Sequence, residues 1–286
     1  MLLSEGFVFS QSSLQDYVDC RRRFHLRYIL HLAWPAVESE PVLENERYMQ
    51  QGERFHRMVH QHLSGVPAER LSGLVDDVEL AGWWGNYLHD AQQLITPAGL
   101  KKRYAEFVLS CSLEDCRLLA KYDLALVHEQ GQITIVDWKT SRKKPVRQWL
   151  EKRLQSRLYP YLLVEAGARL VGGKPILPEQ VQMVYWYPAF PDSPEIICYN
   201  TQKHQEGAAY LSGLINEIQR LDESDFSMTS HTERCAYCVY RSLCERGVRA
   251  GNFDQVLDWL SEEAEPREGV SSMGGFDFEQ VGEISF

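Results

Sequence analysis

The chain has 286 residues, 44% of them apolar and 24% charged, an ordinary balance for a globular protein with one large domain or two small ones. No apolar run nears the roughly 20 residues that a bilayer span needs, and "MLLSEGFVFSQ" lacks the basic-then-apolar order of an export signal, which excludes a membrane partner and leaves a cytosolic protein as the expectation. In that reducing setting the seven cysteines do not suggest a disulfide framework, so clustered ones point to a metal. The net charge of −10 argues against a polyanionic partner until its distribution is read. Residues 101–157 hold 13 Lys and Arg against 7 Asp and Glu, whereas residues 252–286 hold 9 acids against one arginine. The acidity sits largely in a tail, and the basic excess surrounds the stretch "IVDWKTSRKK".

In chain order, "SQSSLQDYVDCRRRFHLRYILHL" predicts one capped amphipathic helix with Leu14, Tyr17, Val18, Phe24, Tyr28 and Ile29 inward, carrying Cys20 beside three arginines. A Pro/Glu-rich linker precedes a second helix, "NERYMQQGERFHRMVHQHLSG", stopped by glycine. Residues 76–96 predict more helix, with Trp83, Trp84 and Tyr87. From Tyr104 the period changes to two, predicting an antiparallel meander of "RYAEFVLSCSL", "CRLLAKYDLALV" and "QITIVDWKT". "VRQWLEKRLQSRLYPYLLVEAG" reads as one long helix, "VQMVYWYP" and "EIICYN" as strands, and residues 203–222 as a closing helix. The expected division is a helical region over 1–100, a core over 101–200, a helix and cysteine cluster over 201–250, and an acidic tail over 251–286.

On "QITIVDWKT", alternation sends Asp137 and Lys139 to the same side of a strand, where carboxylate and ammonium can meet one ligand. An isolated D-x-K is more often a surface ion pair. The neighbouring strands, however, offer Glu106 and Asp123, and an acid amid Leu and Ala in "LAKYDLALV" is costly unless something satisfies it. Carboxylates gathered in this way suit magnesium or manganese, ions that keep water and complete their shell with substrate phosphates.

Cys235, Cys238 and Cys244 form C-x2-C-x5-C, one ligand short of a tetrahedral set. Zinc is the default for such spacing and a redox dithiol the weaker alternative. Cys111, Cys116 and Cys198 fall in predicted strands and read as small core residues.

Gly52-x-x-x-His56, Glu106, Asp123, Asp137-x-Lys139-Thr140 and Gln155-x-x-x-Tyr159, in that order, resemble the PD-(D/E)XK nuclease superfamily in its RecB-like branch. One departure is Ala120, where the family often has glycine before the first aspartate. The resemblance spans roughly residues 7–250 and implies a mixed sheet flanked by helices, a restriction-endonuclease-like core. It implies a Mg2+ or Mn2+ site made by His56, Asp123, Asp137 and the main-chain carbonyl of Trp138, with Lys139 at the attacking water and Glu106 as a further acid. Gln155 and Tyr159, one helical turn apart, would contact DNA near the scissile phosphate, and Lys143 and Lys144 would contact phosphates just past the strand. His60 reads as a packing residue; the H-E-x-x-H glutamate of zinc proteases is absent from "HRMVH".

Relatives with an iron–sulfur cluster, the AddB-type helicase–nucleases and CRISPR adaptation nucleases, place one cysteine on an N-terminal helix and three near the C-terminus. Cys20 with Cys235, Cys238 and Cys244 matches that arrangement, which implies a [4Fe–4S] cluster closing the domain. The implied activity is metal-dependent hydrolysis of single-stranded or frayed DNA. The alternatives are a CRISPR adaptation nuclease that trims spacer precursors and, in another class, a non-catalytic DNA-binding scaffold of a helicase complex. The tail "SSMGGFDFEQVGEISF", with Phe276, Phe278, Ile284 and Phe286 among acids, reads as a peptide for a helicase, repair or adaptation partner or for the protein's own basic cleft, with an inert, solubilising tail as the alternative.

Overall fold

A computed structural model describes residues 2–4, 6–32, 42–235 and 238–247; the acidic tail motif lies outside them. The first described elements are strand β1 (Val8–Ser10) and helix α1 (Gln11–Asp19), which Ser10 caps by accepting the N–H of Ser13 while Ser13 Oγ accepts the N–H of Ser10. Cys20 is extended (φ −163°, ψ 109°), and the chain resumes as α2 (Arg21–Phe24) and a π-helical turn over His25–Ile29. The single N-terminal helix expected from periodicity is therefore broken at Cys20. Leu14, Tyr17 and Phe24 are buried as expected, and Val18, Tyr28 and Ile29 are half-buried.

Helix α3 (Val42–Leu63) carries Gly52 and His56 and stops before Gly65, whose φ of +99° suits glycine. Helices α4 (Ala68–Ser72), α5 (Val78–Asp90) and α6 (Gln92–Ile95) follow, with Asp77 capping α5 through the N–H groups of Glu79 and Leu80. The predicted meander is present as β2 (Leu100–Leu113), β3 (Cys116–His128) and β4 (Ile133–Trp138), successive pairs antiparallel.

The segment read as one long helix is two, α7 (Arg147–Lys152) and α8 (Leu154–Ala166), because Arg153 is extended with ψ 147°. They carry the chain to β5 (Val181–Trp186), which returns parallel to β4, and β6 (Glu195–Cys198) adds an antiparallel edge before α9 (Thr201–Arg220). The product is one mixed six-stranded sheet flanked by helices. All six residues of β4 are buried, as expected for a central strand covered on both faces. Trp138, Trp186 and Tyr87 interlock on one side with ring centroids 5.6–6.5 Å apart.

One detail of topology positions everything that follows. β2 pairs with β3 along nearly its whole length, but the other edge of β3 is shared end to end. β1 runs parallel to Arg117–Leu119, and β4 runs antiparallel to Leu124–Val127. Between these, Ala120–Asp123 have no strand partner on that edge among the described residues, which leaves a fork beside Asp123. Among the described residues no helix is long and apolar enough to cross a membrane.

Candidate active site

The fork brings the acids together. One step beyond the last β3–β4 pair, Leu124 with Val136, Asp123 and Asp137 stand at matching positions. There the Trp138 N–H donates to Asp123 Oδ2 at 3.0 Å, so a side-chain carboxylate satisfies a main-chain donor that the diverging strand leaves without a ladder partner. From α3, His56 Nδ1 lies 3.5 Å from the other oxygen, Asp123 Oδ1.

Asp137 and Lys139 are 4% and 5% exposed, so the surface ion pair that an isolated D-x-K suggests is not what forms. Lys139 Nζ is 2.9 Å from Asp137 Oδ2, and from α8 Gln155 Nε2 donates to Asp137 Oδ1 at 2.5 Å. Lys139 itself is fixed by its N–H donating to the Trp186 carbonyl at 2.9 Å, which anchors the strand exit to β5. Burial opposes a charge on Asp123. Even so, His56, the Trp138 N–H and Lys139 together hold its carboxyl below the ordinary aspartate range, so it is an anion at neutral pH.

The other predicted residues divide. Glu106 lies opposite Asp123 in the β2–β3 register, between the pairs Ala105 with Leu124 and Phe107 with Tyr122. It adopts φ +48°, a region a non-glycine residue seldom occupies, and its carboxylate meets Lys121 Nζ at 2.6 Å. Tyr159 is buried: its ring centroid is 4.8 Å from that of Tyr122, whose hydroxyl donates to the Tyr159 carbonyl. Lys144 Nζ is 2.5 Å from Glu195 Oε1 at the start of β6, and Lys143 is half-buried in the same loop. His60 is half-buried beside the α3 core, and His62 Nδ1 bonds with the Tyr87 hydroxyl at 3.0 Å. Tyr48 was not read from the sequence; its hydroxyl donates to the Thr140 carbonyl. Its signal was present, since Tyr48 sits one helical turn before Gly52 on α3.

A sequence profile of the PD-(D/E)XK nuclease superfamily matches residues 8–245. The chain belongs to that superfamily. A search of curated proteins found no match. Among solved structures, one named SSO0001 is 14% identical with a TM-score of 0.39, covering 85% of this chain and 87% of its own. A candidate exonuclease from Eubacterium rectale is 11% identical with a TM-score of 0.49, covering 91% and 93%.

Away from the acids of this nuclease-superfamily core, Cys20, Cys235, Cys238 and Cys244 line one cavity. Arg23, Arg234, Arg241 and Arg246 line it too. Cys111 and Cys116 are half-buried as strand residues, but Cys198, expected in the core, is exposed on the edge strand β6. Burial raises the thiol pKa of Cys235 and Cys244, and that of Cys238 to about 11. Among the described residues no three His, Cys, Asp or Glu groups are gathered closely enough to hold a metal ion, either at this cavity or at the fork. Four cysteine thiols lining one cavity are a donor set that suits a thiolate-bound metal or cluster.

Proposed function

We propose that this member of the PD-(D/E)XK nuclease superfamily is a divalent-metal-dependent deoxyribonuclease that hydrolyses phosphodiester bonds in single-stranded DNA or frayed ends. The observation that carries the reading is the fork itself, where Asp123 and Asp137 meet beside a lysine buried against Asp137. Gathering three charged groups at one strand junction is costly to the fold, and they are groups that phosphodiester hydrolysis uses.

His56, Asp123, Asp137 and the Trp138 carbonyl would have to draw together to hold Mg2+ or Mn2+, which would supply a more acidic bound water and neutralise charge on the phosphodiester. Lys139 contributes a fixed ammonium for the attacking water or the charge that develops on the phosphorus oxygens. Gln155 orients Asp137, and the Trp138 N–H and His56 orient Asp123. Substrate preference follows from the RecB-like motif order and from the basic stretch around residues 101–157.

The second cofactor in this reading is a [4Fe–4S] cluster on Cys20, Cys235, Cys238 and Cys244, supported by the shared cavity and the motif order. The deciding assay incubates purified protein with labelled single-stranded DNA and Mn2+, beside Asp137→Ala. Cleavage by the first alone is expected. Equal cleavage by both would overturn the assignment, and binding without turnover would favour a non-catalytic scaffold.

A further inference from the structure

The cysteine cavity joins residues from opposite ends of the chain, and the question is what brings them together. Two side chains stand directly before two of the cysteines: Asp19 before Cys20 and Arg234 before Cys235. Arg234 Nη1 lies 3.8 Å from Asp19 Oδ1 and 3.5 Å from the Asp19 carbonyl, across 215 positions of sequence. Both side chains are essentially buried, 2% and 1% exposed, so water screens this pair little. Asp19 is held from its own side as well. Arg23 Nη2 meets Asp19 Oδ2 at 2.7 Å, Arg23 Nε meets Asp16 Oδ1 at 2.8 Å, and Gln15 Nε2 donates to Asp19 Oδ1 at 3.0 Å.

Further contacts between the two segments use no cysteine. The Arg22 N–H donates to the Ser227 carbonyl at 3.1 Å, Phe226 stacks on His25 with centroids 4.8 Å apart, and the Tyr240 hydroxyl donates to the Leu32 carbonyl at 2.6 Å.

We infer that Asp19 and Arg234 form an electrostatic clasp that sets Cys20 against Cys235, Cys238 and Cys244 before the cavity is filled, so that these two are positioning residues for the site. This rests on the reading of the cavity as a cluster site only for its reconstitution arm. Arginines around the cavity also leave a positive wall, which an anionic tetrathiolate cluster balances. Removal of Arg234 is the cleaner test because Asp19 keeps Arg23 as its partner, so no buried charge is stranded.

The experiment compares wild type, Arg234→Met and Arg234→Lys after the cysteine ligands are stripped of metal with chelator and reductant. Limited proteolysis reports whether residues 228–247 stay docked, and absorbance after adding Fe2+ and sulfide reports cluster assembly. The clasp predicts a stripped wild type cut within 228–247 at least tenfold more slowly than Arg234→Met, with Arg234→Lys between them. It also predicts that Arg234→Met assembles its cluster more slowly, while its melting temperature before stripping stays close to wild type. Equal proteolysis of the stripped wild type and Arg234→Met overturns the clasp. Protection of stripped wild type with no cluster absorbance in any variant upholds the clasp and removes the cluster reading instead.

Discussion

A β-carbon on Gly52 would stand 2.8 Å from Thr140 Oγ1, closer than real side chains approach, so the helix carrying His56 packs directly on the strand exit carrying Asp137 and Lys139. Glycine is required here for space; the position is an ordinary one within α3. The Tyr48 hydroxyl on the Thr140 carbonyl closes the same contact one turn earlier. Gly52→Ala should therefore push α3 off Thr140, costing roughly 1–3 kcal/mol as overpacking and withdrawing His56 from Asp123. Thr140→Ala should restore much of the loss, since the next Thr140 atom is the β-carbon at 3.8 Å. A double-mutant cycle on nuclease activity and melting temperature checks this, and additive losses would show that the two positions do not communicate.

Lys139 and the lysines of the following loop should separate chemistry from binding. Lys139→Ala removes a buried ammonium beside Asp137, with an expected loss of about 10²–10³ in turnover by analogy with deleted transition-state donors and little change in DNA affinity. Lys143→Ala should weaken binding and lower the salt slope by about 1, as for one phosphate contact. Lys144→Ala should change the slope by less than one, because Glu195 lies against that ammonium. Filter binding across a salt series gives both slopes. A full-unit change for Lys144 would mean that DNA displaces Glu195.

Much of this arrangement was legible in the sequence because it is built on periodicity. β3, β4 and β5 announce themselves by β-branched and aromatic runs, and α3 by its apolar repeat and its glycine stop. The breaks were not legible. Cys20 and Arg153 leave the helical region with no proline or glycine beside them, since tertiary contacts override local propensity there. Arg153 packs its guanidinium on Trp149, 4.6 Å from the ring centroid, and such a contact has no one-dimensional signature. β1 escaped notice because three residues are too few to show alternation. Lys144 with Glu195 joins positions 51 residues apart, and Arg234 with Asp19 joins positions far more distant, so neither follows from spacing. Among the site residues, the order of motifs identified His56, Asp123, Asp137, Lys139 and Gln155 as neighbours; that Gln155 bonds to Asp137 came only from the structure.

Gln155 provides the third prediction. Its amide donates to Asp137 Oδ1 while Lys139 holds Oδ2, so one carboxylate is oriented from two elements. Gln155→Ala should cost about 10- to 100-fold in metal affinity or activity, the usual effect of losing an orienting partner. Gln155→Glu should do more harm, since a second carboxylate against Asp137 disfavours ionisation of both and moves the active range to higher pH. Manganese titrations of activity at several pH values check both. Unchanged manganese dependence in Gln155→Ala would show that Lys139 alone suffices to orient Asp137.

The last prediction concerns the thiols and rests on the cluster proposed above. Burial raises the pKa of Cys235, Cys238 and Cys244, that of Cys238 to about 11, so in the metal-free protein they are protonated at neutral pH. Only thiolates ligate, so filling the cavity expels protons, and each proton lost strengthens binding tenfold per pH unit for as long as that thiol remains protonated without metal. The sign is therefore fixed: occupancy weakens as pH falls and keeps strengthening above neutrality toward the raised thiol values. Buried arginines at the rim lower the cost of the thiolates once they form, and Arg23 acts on Cys238 in that sense. Stripped protein reconstituted with iron and sulfide between pH 6.5 and 9 should show absorbance and extent of assembly rising throughout, with proton release measurable in weak buffer. Cys238→Ser should flatten that rise and lose the absorbance. A pH-independent extent of assembly would mean that the thiols are already ionised in the empty cavity, against the effect of their burial.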